Sequence, residues 1–493
     1  MCEAPARPGG NLELSRRRLL HLAALATGRL ALEPAQALAA EAGRPLVRRG
    51  PAQRVLVVGG GLAGLAAALE LRRAGHAVTV LEATLRPGGR VHTLREPFSD
   101  GLFAEAGAGR IPSTHALTHA WVKRFGLRLK PYRPRAPEVA WVGGVRQIKK
   151  PGQDVDLSRA ALDLSAEDRR LGLDGLYARY VGPWAREVGA GPAEKWPPPA
   201  LAPLGDQTMA DFLRGHGASA GAIQLLLSGF EDDSALDFLR DAGSHDVPAL
   251  FHIAGGNDLL PRAMARSLAK ELIYGAAVER LEQDERGVRA VFSRAGQRQT
   301  VAADRLICTV PFPVLRGVEF SPAVSAGKRR ALDELSYGAV TRVFLQTRDR
   351  FWEEEGVSGF ATLDQPLEVW CPTHDQPGTR GILLGYLYEA LARQVAALPP
   401  PARAGWFLDQ LAPVYPRLRD RFEGGTSFVW DEQPYQRGAY AVYSRGQFAS
   451  LWPHVATPEG RIHFAGEHTS QWPGWMQGAL DSGLRAAREV NAA

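Results

Sequence analysis

Apolar and polar positions along the chain change period several times, and each change marks an element. Val55 to Val58 is a continuous aliphatic run stopped by glycine, the pattern of a strand buried on both faces of a parallel sheet. Ala63 to Ala74 is rich in alanine and leucine at helical spacing, and Gly75 stands where a left-handed C-cap would end the helix. Ala77 to Leu81 returns to strand character. Leu117, Trp121 and Phe125 share one face of a helix over 114–125, and Trp141 to Ile148 reads as a hairpin around Gly143-Gly144. From about Pro151 to Ala242 the period is helical, broken by Pro197-Pro198-Pro199. Strand patterns follow at Gly287 to Phe292, Arg305 to Val310, Ser336 to Arg350 and Gly381 to Tyr388. A last short strand, Arg461 to Ala465, precedes a helix over Ala479 to Val490.

So many alternating elements in 493 residues exceed one simple core and predict two or three domains, possible through interleaving. The net charge of +6 is spread over the chain, with no basic block interleaved with aromatics, so nucleic acid is not an expected partner. Cys2, Cys308 and Cys371 offer neither a disulfide framework nor metal-ligand spacing, and no metal is expected. No run is long enough to span a membrane. Ser15-Arg16-Arg17-Arg18-Leu19-Leu20 precedes a mildly apolar stretch, with Ala35-Gln36-Ala37 or Ala37-Leu38-Ala39 as a cleavage site. Residues 1–39 therefore read as a twin-arginine signal, with export to the periplasm or beyond the cell. An uncleaved amphipathic extension on a cytoplasmic protein is the alternative, because Arg29 and Glu33 interrupt the apolar region.

Gly59, Gly61 and Gly64 lie between the first strand and the first helix. The first permits a tight turn, the second lets backbone approach a pyrophosphate, and the third lets helix pack on strand. The helix N-terminus points unpaired N–H groups at the phosphates. Glu82 ends the second strand, where an acid can accept from both hydroxyls of an adenosine ribose. A lone glycine motif is weak; strand, glycines, helix, strand and acid in order are strong. The fingerprint does not separate FAD from a nicotinamide cofactor.

Pro87-Gly88-Gly89-Arg90, followed by Val91-His92-Thr93, resembles the second glycine motif of the flavin-containing amine oxidases. The resemblance runs over roughly 54–490 and is closest to the bacterial L-amino-acid oxidases. It implies an α/β fold with a discontinuous Rossmann-like FAD-binding domain (52–95, 250–330 and 455–493). A mixed-sheet substrate domain (96–150 and 331–454) and an inserted helical domain (151–249) complete that amine oxidase fold. The implied cofactor is FAD, with Gly89 and Arg90 beside its pyrophosphate and flavin. Gly107 would lie along the flavin, Val278 would pair with adenine, Gly466 and Glu467 would meet the ribityl–phosphate region, and Met476 would offer backbone N–H to the flavin. Monoamine oxidases carry a covalent cysteine near Ala439; alanine there implies noncovalent FAD.

Phe103 to Pro112 resembles the L-amino-acid oxidase segment whose arginine binds the substrate α-carboxylate, and its match is Arg110. A planar guanidinium suits two-point recognition of a carboxylate in a dry site. Pairing of Arg110 with Glu105 or with the cofactor phosphates is the plain alternative. Tyr386 matches a second carboxylate-binding residue, and Tyr440 and Trp475 match the aromatic cage around the α-carbon. Arg342 departs from the family: most amine oxidases have lysine there, holding a water at flavin N5. The resemblance implies oxidation of an L-amino acid by hydride transfer from Cα to flavin N5, giving 2-oxo acid, ammonia and, with O2, hydrogen peroxide. Monoamine or polyamine oxidase, amino-acid 2-monooxygenase and dehydrogenase stay open, as does a homodimer; a non-enzymatic FAD-binding module fits the substrate-side residues poorly. Glu231-Asp232-Asp233-Ser234 reads as a helix N-cap or, alternatively, as an acidic subsite for a cationic side chain.

Overall fold

Arg54–Val58 is the middle strand of a five-stranded sheet in the order Leu272–Tyr274, Ala77–Glu82, Arg54–Val58, Arg305–Cys308, Ile462–Phe464. Every pairing is parallel. Both faces are covered, which is why the strand reads as an unbroken apolar run rather than an alternation. Val55 and Val57 pack with the helices Leu62–Arg73 and Met476–Ala492, whereas Leu56 and Val58 face the four-stranded sheet that contains Ala277–Gln283 and Val288–Arg294. The sheet thus draws its strands from three distant parts of the chain. The computed structural model describes residues 46–188, 196–245, 247 and 249–493. The expected signal over 1–39 and its cleavage sites lie outside the described residues.

A second, seven-stranded sheet runs Phe422–Val429, Val340–Thr347, Gly381–Tyr388, Leu367–Trp370, Ala361–Leu363, Glu138–Val142, Val145–Lys149. It is mixed: Ala361–Leu363 and Glu138–Val142 pair parallel, and the remaining neighbours pair antiparallel. Val340–Thr347 and Gly381–Tyr388 are buried at every residue. One face packs under the helices Glu389–Ala396 and Pro400–Leu411, where the Thr341 hydroxyl donates to the Ala392 carbonyl at 2.9 Å. The other face bears Arg342, Tyr386 and Trp370 and lines a cavity.

Between these sheets in sequence lie the helices Ala166–Tyr180, Gly182–Val188, Met209–Gly215, Ala220–Leu227 and Ala235–His245. Ser165, Thr208 and Ser219 accept from the backbone N–H three residues on and so define the starts of three of them. Helix starts only at Ala166, later than the sequence periodicity from Pro151 suggests. The helix expected over 114–125 is Ala116–Arg124, and Glu82 is the last residue of its strand rather than the first beyond it. The 3.6-residue and two-residue periods locate elements well and their ends poorly, because ends depend on caps. No helix among the described residues is long and apolar enough to cross a membrane.

Candidate active site

The ends of the parallel strands and one face of the seven-stranded sheet enclose a cavity of about 560 Å³. On the glycine side, backbone constraint does the work. Gly59 has φ +111°, and a Cβ there would sit 2.2 Å from the Thr309 hydroxyl oxygen. At Gly64 a Cβ would lie 2.0 Å from the Gly59 carbonyl oxygen, so only glycine lets helix Leu62–Arg73 pack this tightly. Gly61 differs: a Cβ there would meet nothing within 4 Å and would project into open space at the cavity wall. Gly61 is also the N-cap of that helix, with no side-chain cap and no acid in the first turn. A bare helix N-terminus beside an open cradle fits a diphosphate.

Glu82 is fixed at the cavity edge. One carboxylate oxygen accepts from the Gly60 N–H at 2.7 Å, the other from the Thr84 N–H at 2.8 Å and its hydroxyl at 2.6 Å. Further lone pairs remain for ribose hydroxyls. Arg90 and Glu467, expected as separate cofactor contacts, also engage each other: Arg90 Nη1 donates to Glu467 Oε1 at 2.6 Å and to the Ala439 carbonyl at 3.1 Å. The second Glu467 oxygen accepts from the Gly474 N–H at 2.8 Å. This ion pair ties the second glycine turn to the C-terminal segment. A Cβ at Gly107 would lie 1.9 Å from the Arg90 carbonyl oxygen, so that backbone approach also demands glycine. Gly89, Val278, Gly466 and Met476 line the same cavity.

The floor is a product of strand register. Arg342 stands opposite Tyr386, and Tyr386 opposite Glu368, so the three side chains form one row across neighbouring strands. Two residues along, Trp370 shares the face of Glu368 and stacks on Tyr386, with ring centroids 4.8 Å apart and planes 23° apart. Arg110 enters from outside the sheet. Its Nη1 donates to Glu368 Oε2 at 3.2 Å, and its guanidinium lies 4.8 Å from the Trp370 ring centroid. Burial opposes the Arg110 charge, yet the carboxylate of Glu368 and the neighbouring tyrosines hold its pKa above the ordinary arginine value. Its hydrogen-bonded protein partner is Glu368 rather than Glu105.

The Tyr386 hydroxyl donates to the Tyr440 hydroxyl at 3.3 Å, and burial raises the pKa of both, so each is a neutral donor and acceptor. Tyr440 lies in an irregular stretch just before Ala441–Val442, not within the long strand that ends at Val429. Trp475 is the N-cap of Met476–Ala492; its indole N–H donates to Asp241 at 3.1 Å and its ring meets His115 edge-on, 5.0 Å between centroids. The structure therefore brings Arg110, Arg342, Tyr386, Tyr440 and Trp475 to one cavity.

The stretch Glu231 to Ser234 divides between its two readings. Ser234 Oγ accepts from the Asp237 N–H at 3.4 Å as a helix cap, and Glu231 accepts from the Gly229 N–H at 3.1 Å. Asp233 instead lines the cavity, where burial and the charges of Asp237, Glu389 and Asp241 push its pKa up to about 8. Sequence reasoning missed Glu368, Trp370 and the Phe230–Tyr388 stack, whose centroids are 4.7 Å apart. Alternation within Leu367–Trp370 puts Glu368 and Trp370 on one face; what it lacks is which face meets the cavity. Behind the floor, His252, His374 and Asp375 offer ligand atoms within 4.8 Å of one another. Lys130 Nζ already sits 3.0 Å from Asp375 and His252 Nε2 3.1 Å from it, so a charge network accounts for that cluster.

Residues 62–491 match the family of flavin containing amine oxidoreductases. YobN of Bacillus subtilis, provisionally named as an L-amino-acid oxidase, is 34% identical over 457 residues, covering 89% of this chain and 95% of the relative. The L-amino-acid oxidase of Demansia vestigiata is 30% identical over 457 residues, covering 90% and 87%. Among solved structures, wild-type putrescine oxidase bound to putrescine aligns with a TM-score of 0.77 at 24% identity, covering 90% of this chain and 100% of that one. At that identity the likeness speaks for the fold.

Proposed function

The chain belongs to the flavin-containing amine oxidoreductase family, and we propose that within it the protein is an L-amino-acid oxidase. It would convert an L-amino acid, O2 and water to the 2-oxo acid, ammonia and hydrogen peroxide. The observation that carries this reading is Arg110, a half-buried guanidinium on the wall of a largely apolar cavity. An amine without a carboxylate gives such a group nothing to bind. The relatives of similar length, named as L-amino-acid oxidases, support it.

FAD fits the glycine side. Gly59 and Gly61 would take its diphosphate, with Gly64 letting the helix pack close behind them, Glu82 its ribose, and Val278, Gly89, Arg90, Gly107, Gly466, Glu467 and Met476 the remainder. Ala439 carries no nucleophile, so the cofactor is held noncovalently. When bound, the flavin supplies two-electron oxidation of the substrate and passes those electrons to oxygen. The protein's own residues orient and desolvate. Arg110, helped by the Tyr386 hydroxyl, fixes the carboxylate, and Tyr440 and Trp475 confine the α-carbon. No side chain is assigned as general base. Export of the folded protein through residues 1–39 belongs to the same proposal.

A second reading draws on Asp233, Asp241 and Glu368, which line the same cavity and suit a cationic amine. One assay separates the readings: peroxide and 2-oxo acid release from a panel of L-amino acids, D-amino acids and amines. The oxidase reading expects both products from L-amino acids. Amine turnover without amino-acid turnover would sink it. Amide formation would indicate a monooxygenase, and turnover only with an artificial acceptor a dehydrogenase.

A further inference from the structure

Of the arginines that line the cavity, Arg110 and Arg342 stand at its floor, and their charges are met very differently. Arg110 already has Glu368 at 3.2 Å. Arg342 is only 5% exposed, in the interior of the seven-stranded sheet, yet its hydrogen-bonded protein partner is the Glu105 backbone carbonyl, 2.6 Å from Nη1. Its Nε is buried without an acceptor, and among the described residues no carboxylate stands within ion-pair distance of it. The rings of Trp370 and Tyr386 lie 5.0 Å and 4.9 Å from the guanidinium, contacts that stabilise a cation without neutralising it.

The acid whose field reaches Arg342 is Glu105. Its carboxylate oxygens accept from the Asn257 N–H at 2.7 Å and the Thr93 hydroxyl at 2.9 Å, not from Arg342. Gly109, which also lines the cavity, stands beside the guanidinium: a Cβ there would lie 3.8 Å from Nη1 and 3.3 Å from the Trp370 ring. Buried charges are normally paired, because desolvation is costly and only a close counter-charge offsets it. Here no carboxylate among the described residues is hydrogen-bonded to the guanidinium, and the side chain lines the cavity.

We infer that Arg342 supplies the larger, uncompensated positive charge to which the substrate carboxylate is drawn, and that Arg110, whose guanidinium is shared with Glu368, is the weaker of the two contacts. This rests on the amino-acid reading above and changes which arginine dominates. Glu368 competes for Arg110 in the resting protein, whereas among the described residues no carboxylate is hydrogen-bonded to Arg342. Arg342 is thus a carboxylate-binding residue in its own right, and lysine at its place would keep the charge but lose the planar two-point geometry.

The test uses the flavin-loaded full chain and benzoate, a carboxylate with no amine and no reaction, titrated by its perturbation of the flavin absorbance. Arg342→Met should raise the benzoate Kd at least 30-fold, Arg110→Met less than 10-fold, and Arg342→Lys should recover most of the loss. Thermal melts and flavin content of each variant report folding, and Arg342→Lys keeps the test decisive where methionine disturbs the sheet. An Arg342→Met protein with unchanged Kd, or a larger loss in Arg110→Met, overturns the inference. A shifted flavin midpoint potential with unchanged Kd assigns the charge to the flavin instead and also overturns it. Wild-type turnover of L-amino acids is measured alongside: its absence sinks the oxidase reading, whereas its presence with a benzoate Kd indifferent to Arg342 sinks this inference alone.

Discussion

The two sides of the cavity are built by opposite means. The glycine side is encoded within Arg54 to Arg90, and what matters there is mostly the absence of side chains. The floor is assembled from Arg110, Arg342, Glu368, Trp370, Tyr386, Tyr440 and Trp475, brought together by strand register and loops from separate segments. On the first side a substitution acts through steric exclusion of backbone. On the second it acts through charge and hydrogen bonding in a dry interior. The first is therefore close to all-or-none and indifferent to pH, and the second is graded and pH-sensitive.

The largest expected effect comes from comparing two glycines a single turn apart. Gly64→Ala forces a methyl group to within 2.0 Å of the Gly59 carbonyl oxygen, so helix and strand must separate. Overpacking of this kind costs about 1–3 kcal/mol, and the variant should purify without flavin and melt early. Gly61→Ala meets no protein atom within 4 Å. Its flavin-free stability should change by less than about 0.5 kcal/mol, while flavin affinity falls steeply. Wild-type flavin binding by Gly61→Ala would remove the phosphate cradle from that turn and erase the contrast.

Substitutions on the floor should give smaller, separable losses. Arg110→Met removes a guanidinium edge already shared with Glu368, so KM for the preferred L-amino acid should rise by roughly 3- to 10-fold, with kcat less affected. An unchanged KM would strip Arg110 of its role. Glu368→Gln should act in the opposite direction. It removes the negative charge 3.2 Å from Arg110, and carboxylate ligands should bind several-fold tighter. Weaker binding in that variant would mean that Glu368 orients Arg110 rather than competing for it.

The same contrast decides what could be read from the chain. A tight turn and close helix packing are local demands that only glycine meets, so Gly59, Gly61 and Gly64 announce themselves together with the acid at Glu82. Gly381 to Tyr388 is legible as a strand to the residue, yet both of its faces are apolar and buried, so nothing in GILLGYLY says which face meets a cavity. Arg342 and Glu368 flank Tyr386 through pairing partners far away in sequence, and no local period contains that register. Arg110 could be singled out by its segment, but its partner Glu368 could not. For Glu231 to Ser234, capping and lining were both visible as options; which residue does which depends on how helix Ala235–His245 packs.

The smallest predicted effect on ligand binding is a pH dependence that tests whether Arg342 feels its surroundings as a buried, charged interior should. Burial pushes the Glu105 pKa up to about 7, against the Asn257 N–H, the Thr93 hydroxyl and the charge of Arg342, which favour ionisation, and with Asp258, which opposes it. The folded protein therefore keeps a proton that the unfolded chain releases near the model-peptide value. Folded protein binds more protons between those two pH values, so stability falls as pH rises from about 4.5 toward 7, by at most on the order of 3 kcal/mol from this group. Above about 7 the ionised Glu105 begins to neutralise Arg342 from the protein side. Benzoate, which has no amine to titrate, should then bind two- to five-fold more weakly at pH 8 than at pH 6, roughly the scale of a modest interior charge interaction. Glu105→Gln should flatten that profile while leaving the glycine-side behaviour untouched. A profile that stays sloped in Glu105→Gln would place the titrating group elsewhere, with Asp233, whose pKa is about 8, the next to replace.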